Sequence, residues 1–139
     1  MIGYARESEV GVRLARFAAA WSGGILALFG ALYVLATERM LAFAELTSLT
    51  PTALTDLRVM YGALQLAPGF FCLASLRRAE WLEPALGLAT FTFALIPALR
   101  ILGIALDGTA NQYHLTALVI ELGTLALTAF AWRGLRRSH

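Results

Sequence analysis

A long stretch without a charged side chain, FAAAWSGGILALFGALYVLAT (17–37), constrains this chain more than any other feature. A helix needs about 20 residues to cross the hydrocarbon core of a bilayer, and this stretch is long enough. Composition agrees, because 59% of the residues are hydrophobic and 14% are charged, whereas about a quarter of residues are charged in an average soluble domain. We therefore expect an all-α integral membrane protein.

Three further apolar segments follow, and two of them reach spanning length only if a charged residue lies inside the helix. Residues 59–76 carry no charge, but the uncharged stretches that flank Arg100 and Glu121 are too short to cross alone. Placing these two residues within helices gives spans of about 20 residues each. The sequence thus predicts a four-helix bundle over residues 17–133, with spans near 17–36, 52–76, 83–106 and 113–132.

The distribution of arginine, in a chain without lysine, predicts the orientation of these spans. Arginines lie before the first span, between the second and third spans, and after the fourth: Arg6, Arg13, Arg16, Arg77, Arg78, Arg133, Arg136 and Arg137. The first connection holds Arg39 alone, and the third connection holds none. By the positive-inside rule, both termini are cytoplasmic, including the segment 1–16 and the tail 134–139.

The connection between the first two spans, ERMLAFAELTSLT (38–50), is more apolar than an ordinary loop. Met40, Leu41 and Phe43 give it an apolar face, which predicts a short interfacial helix that shields the bundle on the outer side of the membrane. A moving lid is the alternative interpretation of the same segment. Thr50 followed by Pro51 is a typical start of the next helix, with the threonine as its N-cap.

Three charged residues lie at the same depth on three different spans. With a rise of 1.5 Å per residue, Arg58, Arg100 and Glu121 are each about 10 Å below the outer surface. Facing lipid, an arginine costs about 2.5–3.5 kcal/mol at the centre of a span, and less toward the interface. We therefore expect the three side chains to meet inside the bundle, with Glu121 between the two guanidinium groups.

Helical spacing adds neighbours to these residues and defines a candidate ligand-binding set. It consists of Arg58, Tyr61, Gln65, Arg100, Asp107 and Glu121. Two arginines against one glutamate leave a positive charge that Asp107 or a bound anion would balance. Intramembrane charges often mark a ligand, ion or proton path, so the pattern favours an outward-facing pocket for a small anionic or amphipathic molecule, including a lipid.

Two other interpretations fit the same residues. Glu121 could serve as the general base of a membrane-embedded isomerase or hydrolase. Alternatively, the protein is a structural or accessory membrane subunit whose ion-pair network only fixes the helix register, since buried pairs often do no more than offset their own desolvation. Association with further copies or other subunits is compatible with each interpretation.

Several functional classes lack support in the sequence. Cys72 is the sole cysteine, so an intramolecular disulfide and a thiolate metal cage are excluded, and a packing role is expected. His114 has no acidic neighbours at ligand spacing, and no catalytic or phosphate-binding motif occurs. We expect no catalytic residue, metal or cofactor. The sequence has no basic run interleaved with aromatic residues, so nothing in it indicates nucleic-acid binding.

The segments DLRVMYGALQL, ALRILGIALDG and LVIELG resemble those of the bacterial four-helix membrane proteins grouped as domain-of-unknown-function family 4345. The resemblance extends from the first predicted span to the fourth. It implies a bacterial inner-membrane protein with the candidate residues named above as its matching positions. Because the family has no established activity, the resemblance adds no function.

Overall fold

The structure, a computed structural model, describes residues 2–46 and 48–137, and this part of the chain consists of helices joined by short turns. The elements in order are α1 (Ile2–Leu35), α2 (Thr37–Phe43), α3 (Pro51–Leu57), a π-helical segment (Arg58–Ala63), α4 (Leu64–Ser75), a 3₁₀ turn (Ala79–Trp81), α5 (Leu82–Asp107) and α6 (Gln112–Arg137). Because α3, the π-helical segment and α4 follow one another without a break, they form one long helix. The predicted all-α fold is confirmed.

Within the described residues, four helices are long and apolar enough to cross a membrane: Glu9–Leu35, Pro51–Ser75, Ala79–Asp107 and Gln112–Arg137. They contain 25 to 29 residues, so each exceeds the roughly 30 Å thickness of the hydrocarbon core. These helices lie at the four predicted positions. Helix α1 begins at Ile2 and continues through most of the segment 1–16, whose location in the cytoplasm stays a prediction.

Helix α1 is central, because it packs against α4, α5 and α6, while α5 packs against both α4 and α6. One end of the bundle is marked by two contacts. Arg16 Nη2 donates to the carbonyl of Leu76 at 2.7 Å, and Arg136 Nε lies 3.5 Å from Glu83 Oε1. The N-terminal half of α1, the α4–α5 connection and the end of α6 therefore share this end, which we call the terminal end. The opposite end is the distal end.

Glycines bring α1 and α4 into backbone contact. A Cβ atom on Gly69 would lie 2.7 Å from the backbone nitrogen of Ala27, and one on Gly30 would lie 2.8 Å from that of Leu66. Small residues allow this close approach, which is a common way for membrane helices to gain packing energy in the absence of a hydrophobic driving force. The α1–α4 pair thus forms a closely packed unit.

The main apolar core lies toward the terminal end and is built from small and aliphatic residues of α1, α5 and α6: Ala15, Ala18, Ala19, Leu82, Leu86, Ala131 and Leu135. A second, smaller cluster contains Cys72, Ala85 and Ala89. Cys72 is fully buried, and its Sγ lies 3.6 Å from the carbonyl oxygen of Ala85. The expected packing role of this cysteine is confirmed.

The distal end is closed by the α2 connection and by the α5–α6 turn. Thr50 Oγ1 accepts a hydrogen bond from the backbone nitrogen of Ala53 at 3.2 Å, which confirms the predicted N-cap. Gly108 ends α5 with a φ of 66°, and its N–H donates to the carbonyl of Ile104 at 3.0 Å. A left-handed glycine of this kind is a common helix terminator.

Helix α2 is the short helix predicted between the first two spans. Leu41 is buried at 1% exposure, whereas Phe43 is 70% exposed, so the helix has one face against the bundle and one face away from it. Its first residue, Thr37, is also buried. This buried threonine becomes important for the polar residues described next.

Candidate functional site at the distal end

The strongest polar contact in the described part of the chain joins α5 to α6. Arg100 Nε donates to Glu121 Oε2 at 2.9 Å and to Oε1 at 3.1 Å, and Nη2 donates to Oε1 as well. The side chains are 20% and 11% exposed. A planar guanidinium matches a carboxylate in this two-point arrangement, which adds geometric specificity to the ion pair.

Two aromatic residues at the start of α6 extend this contact. Arg100 Nη1 lies 3.2 Å from His114 Nδ1. Since arginine has no acceptor, the imidazole nitrogen is the acceptor in this contact. The Arg100 Cζ lies 5.8 Å from the ring centroid of Tyr113. Asn111 positions His114, because its Oδ1 accepts from the backbone nitrogen of His114 at 3.0 Å.

Tyr33 of α1 links the two halves of the distal end. Its ring stacks on that of Tyr61 in the π-helical segment, with centroids 4.9 Å apart and an interplanar angle of 22°. Tyr113 and Arg100 lie near the Tyr33 side chain on its other side. Tyr33 is 7% exposed, so it forms a buried aromatic wall between α6 and the π-helical segment.

Arg58 lies on the other side of this wall. Its Nε donates to Thr37 Oγ1 at 2.9 Å, and the same hydroxyl donates to the carbonyl of Tyr33 at 2.6 Å. Thr37 is 3% exposed, whereas the Arg58 side chain is exposed. We refer below to these contacting side chains as the distal cluster: Tyr33, Thr37, Arg58, Tyr61, Arg100, Tyr113, His114 and Glu121.

The expectation that Glu121 lies between two guanidinium groups is wrong. In residues 2–46 and 48–137, Arg100 is its single ion-pair partner, and Arg58 bonds Thr37 instead. The prediction treated the second span as a regular α-helix. The structure has a π-helical segment from Arg58 to Ala63, and its wider turn offsets the side of the helix that carries Arg58 from the one expected relative to α4 in a regular α-helix.

The remaining two candidate residues stand outside these contacts. Gln65 is half-buried on α4, and the structure shows no hydrogen bond from its side chain to another described residue. Asp107 is exposed at the end of α5, beside the turn at Gly108. It makes no ion pair within the described ranges, so it does not balance the charge of either arginine.

Four residues of the distal cluster were not predicted as site residues: Tyr33, Thr37, Tyr113 and His114. A signal existed for His114, which precedes Glu121 by two helical turns and so shares its face. A signal existed for Tyr33 too, because it follows Gly30 by three residues on the face of α1 that meets the second span. Thr37 and Tyr113 lie at helix ends, where spacing alone does not identify a facing direction.

Below Glu121, the polar face of α6 continues into the bundle. Thr124 and Thr128 are 2% and 0% exposed. Thr128 Oγ1 donates to the carbonyl of Thr124 at 3.0 Å, and Thr124 Oγ1 accepts from Trp21 Nε1 of α1 at 3.2 Å. Among the residues that the structure describes, no group of three or more His, Cys, Asp or Glu side chains could hold a metal ion.

The fold and these contacts define a multi-pass membrane protein, a bundle of four spanning helices with a polar and aromatic cluster at one end. A family model, Domain of unknown function (DUF4345), matches residues 14–132. The chain belongs to this family, as the sequence resemblance predicted. Searches of curated proteins and of solved structures found no match.

Proposed function

We propose that this protein binds a small anionic amphiphile, such as a fatty acid, at the Arg58 side of the distal cluster. The observation that carries this proposal is the unequal pairing of the two arginines. Arg100 is neutralised by Glu121, whereas Arg58 has only the uncharged Thr37 hydroxyl as a partner among the described residues. An anionic group of the ligand would supply the missing counter-charge.

The surroundings of Arg58 suit the apolar part of such a ligand. Val59 and Met60 are 57% and 56% exposed, and Tyr61 is 43% exposed. Tyr61 follows Arg58 by three residues and so lies on the same side of the helix, which places an exposed aromatic ring beside the guanidinium. Half-buried Gln65, just beyond this segment, offers a hydrogen-bonding group without a partner among the described residues. A single-chain carboxylate has the same division into a charged head and an apolar tail.

The π-helical segment itself supports a binding role. Single π-helical turns inside α-helices are rare and occur often at functional sites. Here the segment contains both Arg58 and Tyr61. Its Gly62 lies against α1, where a Cβ atom would approach Val34 Cγ2 to 2.6 Å. The irregular turn is therefore held in place by α1 and presents Arg58 at a defined position.

We place this protein in a bacterial inner membrane, with both termini in the cytoplasm and the distal cluster toward the outside. The arginine distribution supports that orientation through the positive-inside rule. At two turns from the outer end of its helix, Arg58 would lie about 10 Å below the surface. A ligand would then enter from the outer leaflet or from the external solution.

A structural role is the second candidate, and the Arg100–Glu121 contact favours it for that half of the cluster. Both carboxylate oxygens accept hydrogen bonds from Arg100, so Glu121 is poorly suited to act as a general base. We assign the pair to fixing α5 against α6 beside the binding surface. In the purely structural interpretation, Arg58 would likewise only join the second span to the α1–α2 junction.

Thermal unfolding with a defined amphiphile separates the two candidates. The purified protein is mixed with oleate or, as an uncharged control, oleyl alcohol. We expect oleate to raise the melting temperature of the wild type, because a ligand at 100 times its Kd stabilises the folded state by about 2.7 kcal/mol. Arg58→Gln should lose this shift. The control is Arg39→Gln, which removes an exposed arginine that has no partner among the described residues. This variant should keep the oleate-induced shift in melting temperature.

The opposite result would favour the structural role. If oleate shifts wild type and Arg58→Gln equally, or shifts neither, the binding proposal fails. Gln65→Leu provides a second comparison, because it removes a polar group that has no partner in the described part of the chain and should leave the unliganded stability unchanged or slightly higher. A reduced oleate shift in this folded variant would place Gln65 at the ligand.

A further inference from the structure

A cleft of about 550 Å³ opens at the terminal end, on the opposite side of the bundle from the distal cluster. Five residues line it: Leu73, Ala74, Arg77, Arg78 and Trp81. Leu73 and Ala74 belong to the last turns of α4, and the two arginines and the tryptophan follow them in the α4–α5 connection. The cleft therefore has an apolar wall on the side of the spans and a cationic rim at the helix end.

The positive charge of this rim has no counter-charge in the described part of the chain. The ion pairs in residues 2–46 and 48–137 are Arg100–Glu121 and Arg136–Glu83, so neither Arg77 nor Arg78 is paired with a carboxylate. Arg78 lies over the ring of Trp81, with its Cζ 4.8 Å from the centroid. A cation–π contact orients the guanidinium but leaves its charge in place.

Other charged groups close to the cleft do not change this balance. Glu80, two residues beyond Arg78, is exposed and forms no ion pair with a described residue. Arg16 adds a third guanidinium at the same end, where its Nη2 donates to the carbonyl of Leu76, the residue before Arg77. The local excess of charge is therefore positive.

We propose that this cleft binds an anionic phospholipid, with the headgroup phosphate on Arg77 and Arg78 and the first acyl carbons along Leu73 and Ala74. Guanidinium groups bind phosphate oxygens through two parallel hydrogen bonds. Trp81 lies near the end of a helix long enough to span a membrane, and tryptophan is enriched where such helices meet the headgroup region. The combination of apolar wall, aromatic residue and unpaired cations matches a lipid better than it matches a free phosphate ion, which has no apolar part.

This site is independent of the function proposed above. It lies at the other end of the second span and uses none of the residues of the distal cluster. If the rim lies in the cytoplasm, as the arginine distribution predicts, it faces the leaflet whose anionic lipids attract basic segments. A bound lipid would then attach the α4–α5 connection to the membrane surface.

The test is native mass spectrometry of the full-length protein released from detergent after incubation with phosphatidylglycerol or phosphatidylcholine. We expect wild type to retain phosphatidylglycerol in preference to phosphatidylcholine. The double variant Arg77→Gln with Arg78→Gln should bind phosphatidylglycerol at least about tenfold more weakly, because it removes both guanidinium contacts to the headgroup phosphate.

A matched control removes the same charge outside the cleft. Arg133 and Arg137 are exposed residues of α6 that do not line the cleft. Their double change to Gln should leave phosphatidylglycerol binding within about twofold of wild type, because exposed charges outside the site contribute little. Equal losses in the two double variants would overturn the proposal in favour of a diffuse surface charge. Circular dichroism of each variant verifies that it is folded.

Two further measurements separate the lipid from other occupants. Ala74→Leu fills the apolar wall without changing the charge, and it should weaken phosphatidylglycerol binding, which a purely electrostatic contact would not do. Inorganic phosphate at the same concentration as the lipid headgroup should fail to displace the lipid. Displacement by phosphate, or full binding in Ala74→Leu, would show that the cleft does not recognise a phospholipid.

Discussion

Arg100 and Glu121 hold α5 and α6 together through a two-point contact, with Arg100 Nε 2.9 Å from Oε2 and 3.1 Å from Oε1 of the carboxylate. The two side chains are 20% and 11% exposed, so most of the surface of each is buried within the protein. Under these conditions each charge depends on the other, because removing one leaves its partner desolvated without compensation.

The first prediction concerns this dependence. We expect Arg100→Gln and Glu121→Gln each to lower the free energy of unfolding by about 2–4 kcal/mol, somewhat less than for a fully buried pair because some exposure remains. Changing both residues to Leu removes both charges and should recover much of the loss. Thermal unfolding in detergent, followed by circular dichroism, measures all four proteins. This account would be contradicted if the double variant lost as much free energy of unfolding as the two single variants lose together.

The second prediction concerns the hydrogen bond between Trp21 Nε1 and Thr124 Oγ1, which are 3.2 Å apart. A double-mutant cycle with Trp21→Phe and Thr124→Val should give a coupling energy of about 0.6 kcal/mol, the average for such bonds between membrane helices. Thr128 is the matched control, because its hydroxyl bonds the carbonyl of Thr124 within its own helix. A cycle of Trp21→Phe with Thr128→Val should show no coupling, and equal coupling in both cycles would assign the effect to packing.

The third prediction concerns topology. The arginine distribution places Arg78 and the C-terminus on the cytoplasmic side, since cytoplasmic loops carry the excess of basic residues. Alkaline phosphatase or green fluorescent protein is fused after Arg78 in one set of proteins and after His139 in another. Both reporters should indicate a cytoplasmic location at both positions. A fusion after Glu45, in the α2–α3 connection, should report an external location. A periplasmic signal from the fusion after Arg78 or after His139 would show that the predicted orientation or the number of spans is wrong.

The fold was largely predictable because its signals are local. Spanning length, the absence of charge over 17–37, the N-cap at Thr50 and the turn at Gly108 each depend on a few neighbouring residues. The pairing of Arg100 with Glu121 was also within reach, since equal depth on adjacent helices leaves two opposite charges few other partners. Thr124 and Thr128 follow Glu121 by three and seven residues, so helical spacing places them on the same face of α6.

The position of Arg58 could not be predicted, because it depends on a π-helical segment that residue spacing does not reveal. Such a turn reflects packing between helices, here the contact of Gly62 with Val34 of α1. The contribution of Tyr33 and Thr37 is non-local in the same sense. Both residues belong to the first span and its end, and only the tertiary arrangement places them beside Tyr61 and Arg58.

The last prediction tests the close contact between α1 and α4. A Cβ atom on Gly69 would lie 2.7 Å from the backbone nitrogen of Ala27 and 3.1 Å from its Cα. Backbone atoms cannot rotate away as a flexible side chain can, so the whole of α1 would have to shift. Gly69→Ala should therefore destabilise the protein by about 1–3 kcal/mol, the usual cost of overpacking a core.

Gly123 of α6 supplies the matched control for this substitution. A Cβ atom added to Gly123 would have no heavy atom of the described chain within 4 Å, apart from its own stretch of helix, so Gly123→Ala meets open space. It should be neutral or stabilising by up to about 1 kcal/mol, because alanine has the higher helix propensity. Thermal unfolding of both variants in the same detergent gives the comparison. Similar melting temperatures for Gly69→Ala and Gly123→Ala would mean that α1 and α4 do not pack through their backbones at this point, and the closely packed pair would have to be rejected.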